Sequence, residues 1–133
     1  MEHTHVGDLK WERGSAETFT GPVWSSPMSR APDRTVAALG VMFEPGARTF
    51  WHSHPDGQVL YVVSGSGRVG DVDGNFVEIA AGDVIYAPAG ESHWHGATPD
   101  SYLMHISITT GGATEWEPRA VTDQEYDGSE YGS

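Results

Sequence analysis

Gly46-Ala47-Arg48-Thr49-Phe50-Trp51-His52-Ser53-His54-Pro55-Asp56-Gly57-Gln58 runs directly into Val59-Leu60-Tyr61-Val62-Val63 and then Ser64-Gly65-Ser66-Gly67. On a strand, residues two apart project to one face, so His52 and His54 turn toward a common space. Two converging imidazoles make half of a coordination shell for a transition metal. The Pro55-Asp56-Gly57 turn reverses the chain, and Gln58 at the start of the next strand can return a carbonyl oxygen to the same point. The β-branched and aromatic run that follows predicts a strand over 58–63, ended by the glycine–serine stretch 64–67. Gln58, Leu60 and Val62 then face inward, and Val59, Tyr61 and Val63 face out.

Working outward, the same grammar repeats. Residues 36–43 are apolar and small and stop at Glu44-Pro45-Gly46. Residues 68–72 and 75–79 flank Asp73-Gly74, a two-residue hairpin signal because both positions tolerate positive φ. Residues 83–87 lie between Ala81-Gly82 and Pro88-Ala89-Gly90. Residues 102–109 alternate, with Tyr102, Met104, Ile106 and Ile108 on one face and Leu103, His105, Ser107 and Thr109 on the other. Short strands at this spacing predict an all-β sandwich or barrel. Only 121–126 reads as helical, with Thr122 and Glu125 spaced as a capping box. The expected organisation is an N-terminal arm (1–16), one barrel domain (17–126) and a flexible acidic tail (127–133).

Composition narrows the chemistry. The chain has 133 residues, 19 acidic and 7 basic, a formal charge of −12, seven histidines and no cysteine. Absent cysteine excludes thiol nucleophiles, disulfides and Cys-ligated metals. Lys10 is the one lysine, so Schiff-base chemistry has a single candidate. The acidic balance disfavours nucleic acid and anionic membrane as partners, and no apolar run is long enough for a membrane span. The first residues lack both the basic and the apolar parts of a signal peptide, so a cytoplasmic location is expected.

Two literal motif matches carry no function. Gly65-Ser66-Gly67-Arg68-Val69-Gly70 fits GxGxxG, yet it runs into a hairpin where that fingerprint needs a helix. Asp71, Asp73 and Asn75 imitate a calcium loop, but the twelfth position is Gly82 instead of glutamate. The second histidine pair is different. Glu91-Ser92-His93-Trp94-His95 again sets two imidazoles on one strand face, and an apolar barrel gains nothing by burying imidazoles it must then satisfy.

At these residues the chain resembles the cupin superfamily. Gly46, His52, His54, position 58 and Gly65 match the spacing of its first motif, with Gln58 where glutamate is usual. Gly82, Pro88, Gly90 and His93 match the second, with Ala97 in place of asparagine. The resemblance implies a small antiparallel jelly-roll β-barrel with a metal inside. Phe43-Glu44-Pro45-Gly46-Ala47-Arg48-Thr49, Trp51-His52, His93-Trp94-His95-Gly96-Ala97 and 121–126 look like the small bacterial cupin hydroxynitrile lyases. That likeness implies manganese(II) held by His52, His54, Gln58 and His93, with His95 and His105 in the pocket but off the metal. Iron, nickel or zinc suit the same nitrogen and oxygen donors.

Three neutral imidazoles and an amide leave a divalent ion its full charge, which favours Lewis-acid chemistry over oxidation. The reading is therefore a C–C lyase on a cyanohydrin-type α-hydroxy substrate, with His95 or His105 as general base. Leu39, Val41, Phe50, Leu60, Leu103 and Thr109 are the expected pocket walls, and the bulk of Leu39 is expected to exclude large aryl groups. The alternatives are a metal-dependent dioxygenase, an enolate isomerase or cyclase on the same site, and a non-catalytic small-ligand-binding cupin. The apolar outer face of 58–63 requires a cover, either an N-terminal strand or a second subunit. A homodimer or higher homo-oligomer is expected.

Overall fold

The computed structural model describes residues 1–29, 35–110 and 112–131. Among them the strands are β1 (Glu12–Arg13), β2 (Phe19–Thr20), β3 (Val23–Pro27), β4 (Ala37–Phe43), β5 (Arg48–Thr49), β6 (His52–Ser53), β7 (Gln58–Asp71), β8 (Phe76–Ala80), β9 (Val84–Ala87), β10 (His93–Ala97), β11 (Leu103–Thr109) and β12 (Glu115–Trp116). All pairings are antiparallel. One curved layer runs β1–β3–β4–β11–β7–β9. The second runs β8–β7–β10–β5–β2, with β6 and then β12 added beside β10. The result is the expected antiparallel jelly-roll barrel.

The stretch 64–67 is not a turn. β7 is one strand of 14 residues that belongs to both layers. Two local features let it bend. Pairing with β11 jumps from Met104–Ser64 to His105–Val62, so Val63 is bulged out of the ladder. Gly65 then takes φ +81, and a Cβ there would run into the Tyr102 carbonyl oxygen. Glycine–serine composition looks like a turn because it permits the same backbone freedom that a sharply bent strand needs. Gly65→Ala is expected to cost about 2–3 kcal/mol, read as a lower urea midpoint at unchanged m-value.

Val23, Val41, Phe43, Val62, Ile79, Ala97 and Leu103 fill the space between the layers. A second cluster, Trp51, Trp94, Val121 and Tyr126, lies under α1 (Asp123–Tyr126). Thr122 caps α1 in the capping box that the sequence predicts. The Tyr126 hydroxyl donates to the Ala97 carbonyl, and the Arg48 and Arg68 guanidiniums lie 4.3 and 5.0 Å from its ring. The chain stays attached beyond α1, where the sequence suggests a free tail. Trp94 Nε1 donates to the Tyr131 hydroxyl at 3.0 Å, and Tyr131 packs on Phe76. A lone tyrosine in a polar stretch has no periodic signal, so only the fold reveals its partner. Residues 132 and 133 of that tail lie outside the described residues.

The N-terminal arm is likewise tied down late in its length. β1 adds to β3, and Trp11 packs over Gly40 beside Met28 and Met104. This leaves Tyr61, Val63, Val84, Tyr86 and Ile108 exposed on the outer face. No helix among the described residues is long and apolar enough to cross a membrane.

Candidate active site

The imidazoles meet because of register. His93 on β10 lies directly opposite His52 on β6, and directly opposed antiparallel residues share a face. His95, two residues on, points the same way. His105 on β11 sits opposite both Val41 and Val62, on the inward face that alternation predicts. The ring centroids of His52 and His93 are 4.4 Å apart, His52 and His54 5.2 Å, His52 and His95 5.0 Å, and His95 and His105 4.8 Å. Thus all five predicted histidines converge, although β6 is only two residues long and His54 lies just past it.

Hydrogen bonds fix the tautomers. The Phe50 carbonyl can only accept, so His52 Nδ1 donates to it at 2.9 Å. His93 Nδ1 donates to the Glu91 carbonyl at 3.0 Å in the same way. Each ring therefore turns an Nε2 lone pair inward. His93 Nε2 stands 3.0 Å from Gln58 Oε1, whose amide nitrogen donates to Ser107 Oγ at 2.7 Å. Two acceptors facing each other repel unless a cation stands beside them. His54 Nε2 and His95 Nε2 are buried without a hydrogen-bond partner. Nitrogen and oxygen donors of this kind fit a divalent transition metal, and the buried three-histidine cluster suggests such an ion.

The tightest group of ligand atoms is His52, His93 and His95, all within 4.8 Å of one another. His54 and Gln58 border it. The Asp71, Asp73 and Glu91 carboxylates form a second group. There, Asp71 accepts from the Asp73 and Asn75 backbone amides and from the Asn75 side chain, as an ordinary hairpin tip does.

Burial determines the protonation states. It lowers the pKa of His54 and of His105 to about 4, and pushes those of His52, His93 and His95 down as well. Neighbouring imidazoles push His52, His54 and His95 lower still. All five rings are neutral near pH 7, as metal ligands and general bases must be. The folded values lie below the unfolded value of about 6.5, so the unfolded chain binds more protons as acid is added. Stability of the metal-free protein is therefore flat above pH 6.5 and falls steadily toward pH 4. Thermal melts at pH 7.5 and pH 5 measure that loss.

A cavity of about 260 Å³ opens beside the imidazoles. Of the residues named as walls, Leu39, Val41 and Thr109 line it, with His52, His54, Gln58, His95, His105 and Ser107. Phe50, Leu60 and Leu103 do not. Leu60 and Leu103 are inward but fully buried, with Leu103 packed in the core beneath the cavity. Phe50 lies between β5 and β6, where the chain leaves the strand and alternation fails. Among the wall residues that escape sequence reasoning are the aromatic Phe19 on β2 and Trp116 on β12. Each sits in a two-residue strand, too short to show a period.

The Cupin domain family matches residues 40–109. Over 130 residues, 95% of this chain and 98% of the other, the chain is 44% identical to the (R)-mandelonitrile lyase of Granulicella tundricola. A cupin-like protein of Thermotoga maritima superposes with a TM-score of 0.81 at 41% identity, covering 86% of this chain and 89% of its own. The polyketide cyclase of Streptomyces resistomycificus has a TM-score of 0.71 at 20% identity over 96% of this chain and 91% of its own, a likeness of fold alone.

Proposed function

We propose that this chain, which belongs to the cupin family and is a homologue of a hydroxynitrile lyase, cleaves cyanohydrin-type α-hydroxynitriles to a carbonyl compound and hydrogen cyanide. The observation that carries the reading is the buried cluster of neutral imidazoles at the cavity wall, in which His95 Nε2 has no hydrogen-bond partner. Near-full-length identity to a mandelonitrile lyase supports it.

We assign the metal to His52, His54, Gln58 and His93, and keep His95 as base. When bound, a divalent ion, manganese(II) in this proposal, supplies Lewis-acid polarisation of the substrate hydroxyl oxygen. His95 Nε2 takes the hydroxyl proton, the C–C electron pair leaves with cyanide, and the carbonyl forms. The imidazolium then returns the proton to cyanide, which closes the balance. His105 acts through His95. Its Nε2 lies 3.0 Å from His95 Nδ1, so it accepts the hydrogen bond that Nδ1–H donates and steadies the charge while His95 is an imidazolium. His105 is thus a positioning residue, held in place by Phe43 at 5.2 Å between ring centroids.

Benzaldehyde release from mandelonitrile after chelation, and after return of manganese, iron, nickel or zinc, tests the reading. Release without any metal-dependent excess over buffer refutes it, and oxygen uptake during turnover would favour a dioxygenase instead.

The proposal includes a homodimer through the outer face of β7, β9 and β11. Tyr61, Val63, Val84, Tyr86 and Ile108 are exposed and uncharged on a chain of charge −12. Two such chains repel over most of their surface, so an uncharged apolar face is where they can meet. Light scattering at low micromolar concentration checks this, and a monomer counts against it. A cytoplasmic location belongs to the same proposal, tested by cell fractionation.

A further inference from the structure

The lyase reading leaves Trp116 without a role. Trp116 lies opposite His52 in the β12–β6 pair, so its side chain projects to the same inward face as that imidazole. The indole lies 4.7 Å from the His52 ring at 42°, and Phe19 meets it edge-to-face at 5.5 Å and 69°. Both aromatic rings line the cavity. Trp116 is 38% exposed, which places it at the rim, whereas the imidazoles behind it are buried. The remaining apolar wall at Leu39 and Val41 is aliphatic. A cavity of about 260 Å³ is small for a ligand pocket and suits a single-ring substrate.

We infer that Trp116, steadied by Phe19 and His52, is the wall against which an aryl group of the substrate packs, so that the site selects aryl over small alkyl hydroxynitriles. This rests on the lyase reading and makes Trp116 a specificity-determining residue. Its indole is held from two sides before substrate arrives, so little ordering cost opposes the contact. The substrate's hydroxyl end faces His95, and its ring lies toward the rim, where larger rings meet Leu39.

The test compares metal-loaded wild type, W116L and W116F on mandelonitrile and on acetone cyanohydrin, with metal content measured for each. W116L is expected to raise KM for mandelonitrile about three- to tenfold more than for acetone cyanohydrin, and W116F to restore much of the difference. An equal rise on both substrates, or none, overturns the inference. Benzyl alcohol binding, followed by NMR titration, keeps the two readings apart because it needs no turnover. If wild type cleaves neither substrate but W116L weakens benzyl alcohol binding by the same factor, the lyase reading fails and the aryl wall stands. If benzyl alcohol binding is unchanged in W116L, the aryl wall fails whatever the kinetics. Should W116L not fold, W116F and F19L carry the comparison, with smaller shifts in the same direction. No aryl-specific shift in either overturns the inference.

Discussion

Replacing His95 with alanine is expected to lower mandelonitrile turnover by roughly 10²–10⁴-fold while leaving the bound metal in place. His95 Nε2 is buried, partnerless and at the cavity wall, and burial with neighbouring imidazoles keeps its proton affinity low. A free lone pair beside the substrate is what a general base requires. The backbone of His95 is held by its amide donating to Thr49 Oγ1 at 3.2 Å, so removal of the ring leaves β10 in register. Metal content decides between two roles that geometry brings close together. His95 stands within ligand distance of His52 and His93, so a ligand role predicts that metal and activity fall together. A base role predicts that activity falls alone. His105→Gln tests the relay, with a smaller loss and a shifted pH profile, because His105 Nε2 bonds to His95 Nδ1.

Much of this site was legible because imidazoles at alternate positions say which face they share. His52 with His54 and His93 with His95 share faces as the spacing predicts, His105 joins them as the family resemblance implies, and the outward row of β7 follows from the same alternation. Depth was not legible. Leu60 and Leu103 share the inward face with His105, but alternation gives a direction and not a distance along the barrel axis. Short strands hid Phe19 and Trp116, since two residues cannot display a period. The run 64–67 reads as a turn for a related reason. Glycine and serine permit a bend, and only pairing with β10 and β11 on either side decides that the strand continues through it.

Gln58→Glu is expected to cut turnover at least tenfold while binding the divalent ion more tightly. Gln58 is 4% exposed, its amide nitrogen donates to Ser107, and its carbonyl oxygen faces His93 Nε2. A carboxylate keeps an acceptor toward His93 and loses the donor toward Ser107. Ser107 answers by turning its own O–H to donate, since a hydroxyl serves either way. The steric change is therefore small, and the electrostatic change is large. Without metal, a buried carboxylate among neutral imidazoles must be protonated or pay a desolvation penalty of several kcal/mol, so the apo protein melts lower than wild type. With metal, the added charge is compensated, and the gain in melting temperature on adding manganese exceeds that of wild type. The same negative charge offsets part of the ion's pull on the substrate hydroxyl, so His95 faces a less acidic proton. Melting curves with and without metal separate these effects from the rate. Undiminished turnover in a variant that binds metal more tightly would mean that the neutral amide is not what sets the acidity of the site.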